Sequence, residues 1–306
     1  MNKKLLTVIM TAVLSITAIN MAKADEPKPA TVAILDTALN AKLPIFKDKI
    51  VHEACVMEFK SCANGSDIME GPGAAFMPLN QMSRNGFDHG TKMTSASVLT
   101  NQNIKVVFVR IIGATPSGAY QFPNEETFVR AFRWVYQNKD KFNIQAVALS
   151  QANHQILMPG ANYCPTTPST SSIISDLDSA GVPVFSAAGN MRDLKRISWP
   201  ACINQSVAVS ATSVTDGPAV YTNYDSKLTD MFAGGRMRLI NSDGYSFNED
   251  GTSVSTQIAA AVYVGLKSKY PNYTKQQILD LMKTKSYPVK SKTILGYVIT
   301  KDILND

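Results

Sequence analysis

Three short segments hold the residues that could perform nucleophilic chemistry: Ala33-Ile34-Leu35-Asp36-Thr37, Asp88-His89-Gly90-Thr91 and Asp250-Gly251-Thr252-Ser253. They supply an acid, a base and a hydroxyl. A serine hydroxyl is a poor nucleophile near neutral pH, so a base must take its proton during attack on a carbonyl, and an acid must hold that base in one tautomer. Each residue also has an ordinary structural reading. Asp36 closes an apolar run, His89 lies in a turn sequence, and Ser253 opens the small apolar segment from Val254 to Leu266, where a hydroxyl suits an N-cap. The conjunction argues for chemistry. Of the histidines His52, His89 and His154, only His89 has the Gly-Thr context.

Elements able to position these residues alternate along the chain. Short apolar runs at Thr31 to Leu35, Ile104 to Ile112, Ala146 to Leu149, Val182 to Ala187 and Ser206 to Ser210 read as strands. Between them, Glu125 to Gln137 and Thr170 to Ala180 carry apolar residues at helical spacing. Alternating strands and helices predict a mostly parallel sheet covered by helices on both faces, with active residues at the carboxyl ends of the strands. Asp36 stands at such an end.

The first residues read differently. Lys3 and Lys4, an apolar run from Leu5 to Ile19, and Ala22-Lys23-Ala24 before Asp25 have the grammar of a secretory signal peptide, so residues 1–24 are expected to be a leader and 25–306 the working domain. The run falls short of the roughly 20 residues that favour a membrane span, although an uncleaved anchor is the rival reading. Setting aside Lys3, Lys4 and Lys23 halves the net charge of +6, and the scattered basic residues form no patch for nucleic acid. Cys55, Cys62, Cys164 and Cys202 all follow the leader; an even number in an oxidising compartment suggests two disulfides. Sequence proximity favours Cys55 with Cys62 and Cys164 with Cys202. Zinc is the alternative, but no C-x-x-C pair is present.

In the order Asp, His, Ser, these segments resemble the subtilisin-like serine peptidases, or subtilases. Phe185-Ser186-Ala187-Ala188-Gly189-Asn190, Trp199-Pro200-Ala201, Val207 to Ala211, Phe232-Ala233-Gly234-Gly235 and Leu295-Gly296-Tyr297-Val298 extend the resemblance over nearly the whole chain. It implies a three-layer α/β sandwich and an exported serine endopeptidase with Asp36, His89 and Ser253 as its triad. Asn190 and the backbone N–H of Ser253 would form the oxyanion hole. It further implies a polypeptide substrate bound as an extended strand between Ser150-Gln151-Ala152, in the place of the family's Ser-Leu-Gly, and Ser117-Gly118-Ala119. Ser198 resembles the base of the primary specificity pocket.

The chain also departs from the family pattern. Lys92 replaces a second histidine, Val254-Ser255-Thr256-Gln257 replaces Met-Ala-x-Pro and unsettles the start of the following helix, and Ala152 replaces a glycine where substrate backbone passes. Only Asp25 to Ala30 separate the expected cleavage site from the first strand, so folding without a propeptide is expected. Ala152, Gln257 and the missing propeptide motivate a second reading, a catalytically weak or silent subtilase-fold protein that binds peptides or a partner. No cofactor is needed for the chemistry. Calcium stabilises many subtilases, but no D-x-D-x-D-G loop is present, and the acidic segment from Asp243 to Asp250 reads as a solvated loop rather than a metal site.

Overall fold

The computed structural model describes residues 29–84, 86–115, 118–121, 123–152, 164 and 167–305; the expected leader, Ser117 and His154 lie outside them. In chain order the strands are β1 (Thr31–Asp36), β2 (Ile50–Val56), β3 (Ile68–Glu70), β4 (Lys105–Arg110), β5 (Gly113–Ala114), β6 (Tyr120–Gln121), β7 (Ile144–Leu149), β8 (Val184–Ala187), β9 (Ser206–Thr212), β10 (Met231–Gly234), β11 (Arg236–Ile240), β12 (Ser246–Asp250), β13 (Tyr287–Pro288) and β14 (Tyr297–Ile299). The helices are α1 (Leu79–Arg84), α2 (His89–Thr100), α3 (Glu125–Asn138), α4 (Pro168–Ser179), α5 (Thr252–Lys269) and α6 (Lys275–Thr284).

Ten strands form one sheet in the order β13-β14-β10-β9-β8-β7-β1-β4-β2-β3. Its interior pairs are parallel, and the outermost pairs β2–β3 and β13–β14 are antiparallel. Strand order reverses around β1: β2 and β3 lie outward on one side, β4 returns between β1 and β2, and the chain then crosses to β7 on the other side. In a parallel sheet, crevices open at such a switch point, outside the carboxyl ends of the strands.

The residues of β1 sort to two faces with the two-residue strand period. Val32 and Ile34 enter the core shared with α2 and α5, and Ala33 and Leu35 enter the core shared with α3 and α4. By the same alternation Asp36 belongs on the α2/α5 side. Helix α5 packs beneath the sheet, with Val254, Ile258 to Val264 and Leu266 in the core. Both disulfides, Cys55–Cys62 and Cys164–Cys202, are formed.

Three local expectations are corrected. The strand expected from Ile104 to Ile112 spans Lys105–Arg110. The acidic segment from Asp243 to Asp250 is a loop only as far as Tyr245; from Ser246 it is β12, which pairs antiparallel with β11 from Arg236↔Asp250 to Ile240↔Ser246. Loss of the proline at position 257 leaves the start of α5 intact at Thr252.

Candidate active site

The carboxyl ends of β1, β7 and β8 deliver Asp36, Ser150 and Asn190 to one edge of the sheet, and the first turns of α2 and α5 deliver His89 and Ser253. Asp36 is fully buried, and its Oδ1 lies 2.7 Å from Nδ1 of His89, whose side chain keeps 25% exposure. Oδ1 also accepts from the Thr37 backbone N–H at 2.7 Å. The short ring contact assigns the Nδ1 proton to the Asp36 side, which leaves Nε2 as the atom able to accept a proton.

The His-Gly-Thr triplet has a separate task for each residue. Thr37 Oγ1 donates to the Phe87 carbonyl and accepts from the Gly90 N–H, both at 2.7 Å, so the start of α2 is bonded to the end of β1. Gly90 permits the approach; a Cβ there would come within 2.6 Å of the Phe108 ring and 2.8 Å of the Ala38 carbonyl. Thr91 Oγ1 accepts from Asn40 N and donates to the Ala38 carbonyl. Lys92, on the next turn, pairs with Asp88 at 3.2 Å and Glu249 at 3.5 Å and lies over the Phe247 ring.

These charges act on the imidazole in opposing directions. Burial works to lower the His89 pKa, yet the Asp36 charge and hydrogen bond, helped by Glu249 and opposed by Lys92, leave it raised above the ordinary value. Asp88, largely desolvated, is held above the usual carboxylate range despite Lys92.

On the opposite wall, β12 feeds through Gly251 into α5. Asn190 Oδ1 accepts from both the backbone N–H and the hydroxyl of Thr252 at 2.9 Å, which turns its Nδ2 away from the helix. A Cβ built on Gly251 would lie 3.4 Å from Asn190 Nδ2 and 3.7 Å from Ser253 N, so these two donors flank one small space. Ser253 N belongs to the first helical turn, where an N–H has no intrahelical acceptor. The Ser253 hydroxyl donates to the Ser150 carbonyl at 3.2 Å, and Ser150 Oγ donates back to the Ser253 carbonyl at 3.1 Å. Gln257, fully buried, donates from Nε2 to Ser150 Oγ and accepts from Ser97 Oγ, joining α2, α5 and the end of β7.

A cleft of about 220 Å³ is lined by His89, Tyr120, Gln151, Asn190, Thr252 and Ser253, among others including Ser150 and Ala152. Thus the structure brings together every sequence-predicted site residue of the triad, the oxyanion pair and the segment from Ser150 to Ala152. Ser198 instead sits fully buried behind Gly189, where its hydroxyl lies 2.2 Å from the place of a Cβ on that glycine. It supports the wall rather than lining the lumen. Of the edge expected from Ser117-Gly118-Ala119, the described residues Gly118 and Ala119 lie in a turn. Thr115 takes both backbone groups of Ala119, and Gly118, at φ +80°, closes the turn of the β5–β6 hairpin. That hairpin contributes Tyr120 to the cleft.

Sequence reasoning missed Thr37, Tyr120 and Thr252, whose roles depend on contacts between distant elements. The only local signal was adjacency: Thr37 follows Asp36 and Thr252 precedes Ser253. Among the described residues, no group of three or more His, Cys, Asp or Glu could hold a metal ion, and no helix is long and apolar enough to cross a membrane.

Comparison with known proteins agrees with this fold. Alkaline elastase YaB of a Bacillus species is 24% identical over 76% of this chain, which spans 59% of that protein. Subtilisin Savinase of Lederbergia lenta is also 24% identical, over 73% of this chain and 79% of its own length. A cold adapted subtilisin-like serine proteinase superposes with a TM-score of 0.66 at 18% identity, covering 89% of this chain and 88% of that one. Proteases from Pseudoalteromonas arctica give 0.71 at 20% identity, covering 90% and 89%. The Subtilase family profile matches residues 28–298, and the chain belongs to that family.

Proposed function

We propose that the chain is an exported serine endopeptidase in which His89, oriented by Asp36, activates Ser253. The observation that carries this reading is the 2.7 Å contact between a buried carboxylate and a half-buried imidazole, in the same cleft as Ser253 and Asn190. A peptide lying along Ser150 to Ala152 presents its carbonyl to Ser253 Oγ. As the hydroxyl attacks, its proton passes to His89 Nε2; Asp36 stabilises the resulting imidazolium without becoming protonated. The oxyanion sits between Ser253 N and Asn190 Nδ2. Collapse releases the amine, protonated by His89, and water then repeats the sequence on the acyl-enzyme. Residues 1–24 serve as the export leader, and the two disulfides suit an oxidising compartment.

A fluorophosphonate probe tests the reading directly. Wild-type protein is expected to be labelled and to cleave peptide substrates, and Ser253→Ala to do neither. A folded wild type that resists labelling refutes the enzyme and leaves the silent peptide binder. The pH profile gives a second test: activity requires neutral His89, so it climbs as pH passes the raised imidazole pKa, above the ordinary value of about 6.5.

A further inference from the structure

Resting on that reading of the site, we infer that Gln151 is a positioning residue that sets the proton affinity of His89 by sharing the Asp36 oxygen on which the imidazole depends. Its Nε2 donates to Asp36 Oδ1 at 2.9 Å and stands 3.1 Å from His89 Nδ1. Tyr120 OH donates to its Oε1 at 3.3 Å, which fixes the amide orientation from the other end. The reverse orientation would set an amide oxygen against a carboxylate oxygen, with no proton between them.

Asp36 Oδ1 thus receives three donors: Thr37 N, His89 Nδ1 and Gln151 Nε2. The other carboxylate oxygen, Oδ2, is buried and has no hydrogen-bond partner among the described residues. Crowding three donors on one oxygen makes them compete for its charge. Each bond from Gln151 weakens the pull that Asp36 exerts on the imidazole, and the positive end of the amide dipole faces the ring. Both effects disfavour imidazolium. Gln151 therefore offsets part of the upward push from Asp36 and Glu249, keeping His89 available as a base at lower pH.

The other groups facing His89 are Asp36 from β1, Asp88 and Lys92 from α2, Glu249 from β12 and Tyr120 from β6; burial and the Asp36 charge keep the Tyr120 phenol neutral. Gln151→Met retains the side-chain length but has no donor and leaves these groups in place, so a shift in this variant reports the amide.

The experiment is a pair of measurements on the full exported protein. The acid limb of kcat/KM in Gln151→Met is expected to move upward by about half a pH unit or more, a roughly threefold loss on the acid side. Tyr120→Phe, which frees the amide to swing away, moves it in the same direction by less. An NMR titration of the His89 ring reads the same shift without using activity. An unmoved limb and an unmoved titration overturn the inference even where kcat falls, because a merely structural role lowers rate without displacing the pKa. Should Gln151→Met fail to fold, Tyr120→Phe decides in its place. Absence of probe labelling in wild type instead refutes the proposed activity, while the titration still tests Gln151.

Discussion

The helices that open on the proposed catalytic residues begin differently from those that cover the rest of the molecule. Helices α3, α4 and α6 are capped by their own N-cap side chains: Asn124 accepts from Thr127 N, Thr167 from Thr170 N, and Thr274 forms a reciprocal capping box with Gln277. In α2 and α5 the N-cap residues, Asp88 and Gly251, make no such bond. Their first-turn donors are met from outside instead, Gly90 N by Thr37 Oγ1 and Thr252 N by Asn190 Oδ1. A local cap stabilises only its own helix. A cap from another element also fixes where the helix starts relative to that element, and here each supplier lies at or beside a residue of the site. Stability and catalytic geometry are therefore coupled in α2 and α5 and separate in α6.

The largest expected effect separates the two roles of Asn190. Asn190→Ala removes both the proposed oxyanion donor and the cap, and kcat is expected to fall about 10²- to 10³-fold, the size known for the side-chain donor of subtilisin. Stability falls with it, by about 1 kcal/mol. Asn190→Asp keeps an acceptor for Thr252 and places negative charge at a helix N-terminus, so thermal unfolding should stay near wild type while turnover is lost at least as severely. A parallel loss of stability in Asn190→Asp would show that the cap is not what Asn190 supplies.

Thr37→Val tests the other coupled helix. Val fills the same volume but leaves the buried Gly90 N–H without an acceptor; the Phe87 carbonyl still accepts from Ala38 N. The expected cost is about 1–3 kcal/mol in denaturant unfolding, with turnover reduced because the start of α2 loosens, and Thr37→Ser should restore both. Full activity in Thr37→Val would break the claimed link between capping and catalysis.

How much of this was legible in the sequence follows from the same distinction. Asp36, His89, Asn190 and Ser253 stood out because each closes or opens an element and has diagnostic neighbours. Sequence proximity also indicated the disulfide partners. The caps of α2 and α5 were hidden, since a threonine after a strand carries no local sign that it will meet a helix 53 residues later. Gln151 was visible as part of the expected substrate-binding segment but not as a partner of Asp36, because that contact depends on the parallel register that brings Leu35 beside Leu149. Gly118 and Ala119 were placed by the resemblance alone, and their local turn, with φ +80° at Gly118, had no sign in that pattern.

Gln257 gives a smaller test within the coupled region. Gln257→Leu deprives two buried hydroxyls of partners, but Ser97 can rotate toward the carbonyl one turn earlier in α2 and Ser150 keeps its bond to the Ser253 carbonyl. An expected loss of about 1–2 kcal/mol in denaturant unfolding follows, with KM affected because Ser150 leads the proposed substrate-binding segment. A change in neither quantity would remove Gln257 from the coupling.

The smallest effect belongs to the uncoupled helix. In α6, Thr274 Oγ1 accepts from Gln277 N at 3.2 Å, while Gln277 Oε1 accepts from Thr274 N at 2.8 Å. Thr274→Ala breaks one half of this box and should lower stability by about 1 kcal/mol, read as a shift of the denaturation midpoint. Because α6 buries only Ile278 and Met282 and supplies no residue to the cleft, kcat/KM and its pH profile should remain those of wild type. The value of this variant lies in its near match to Asn190→Ala in stability: equal destabilisation with unequal activity isolates the oxyanion contribution, whereas a comparable activity loss in Thr274→Ala would mean that catalysis follows global stability and that the two kinds of helix start do not differ in function.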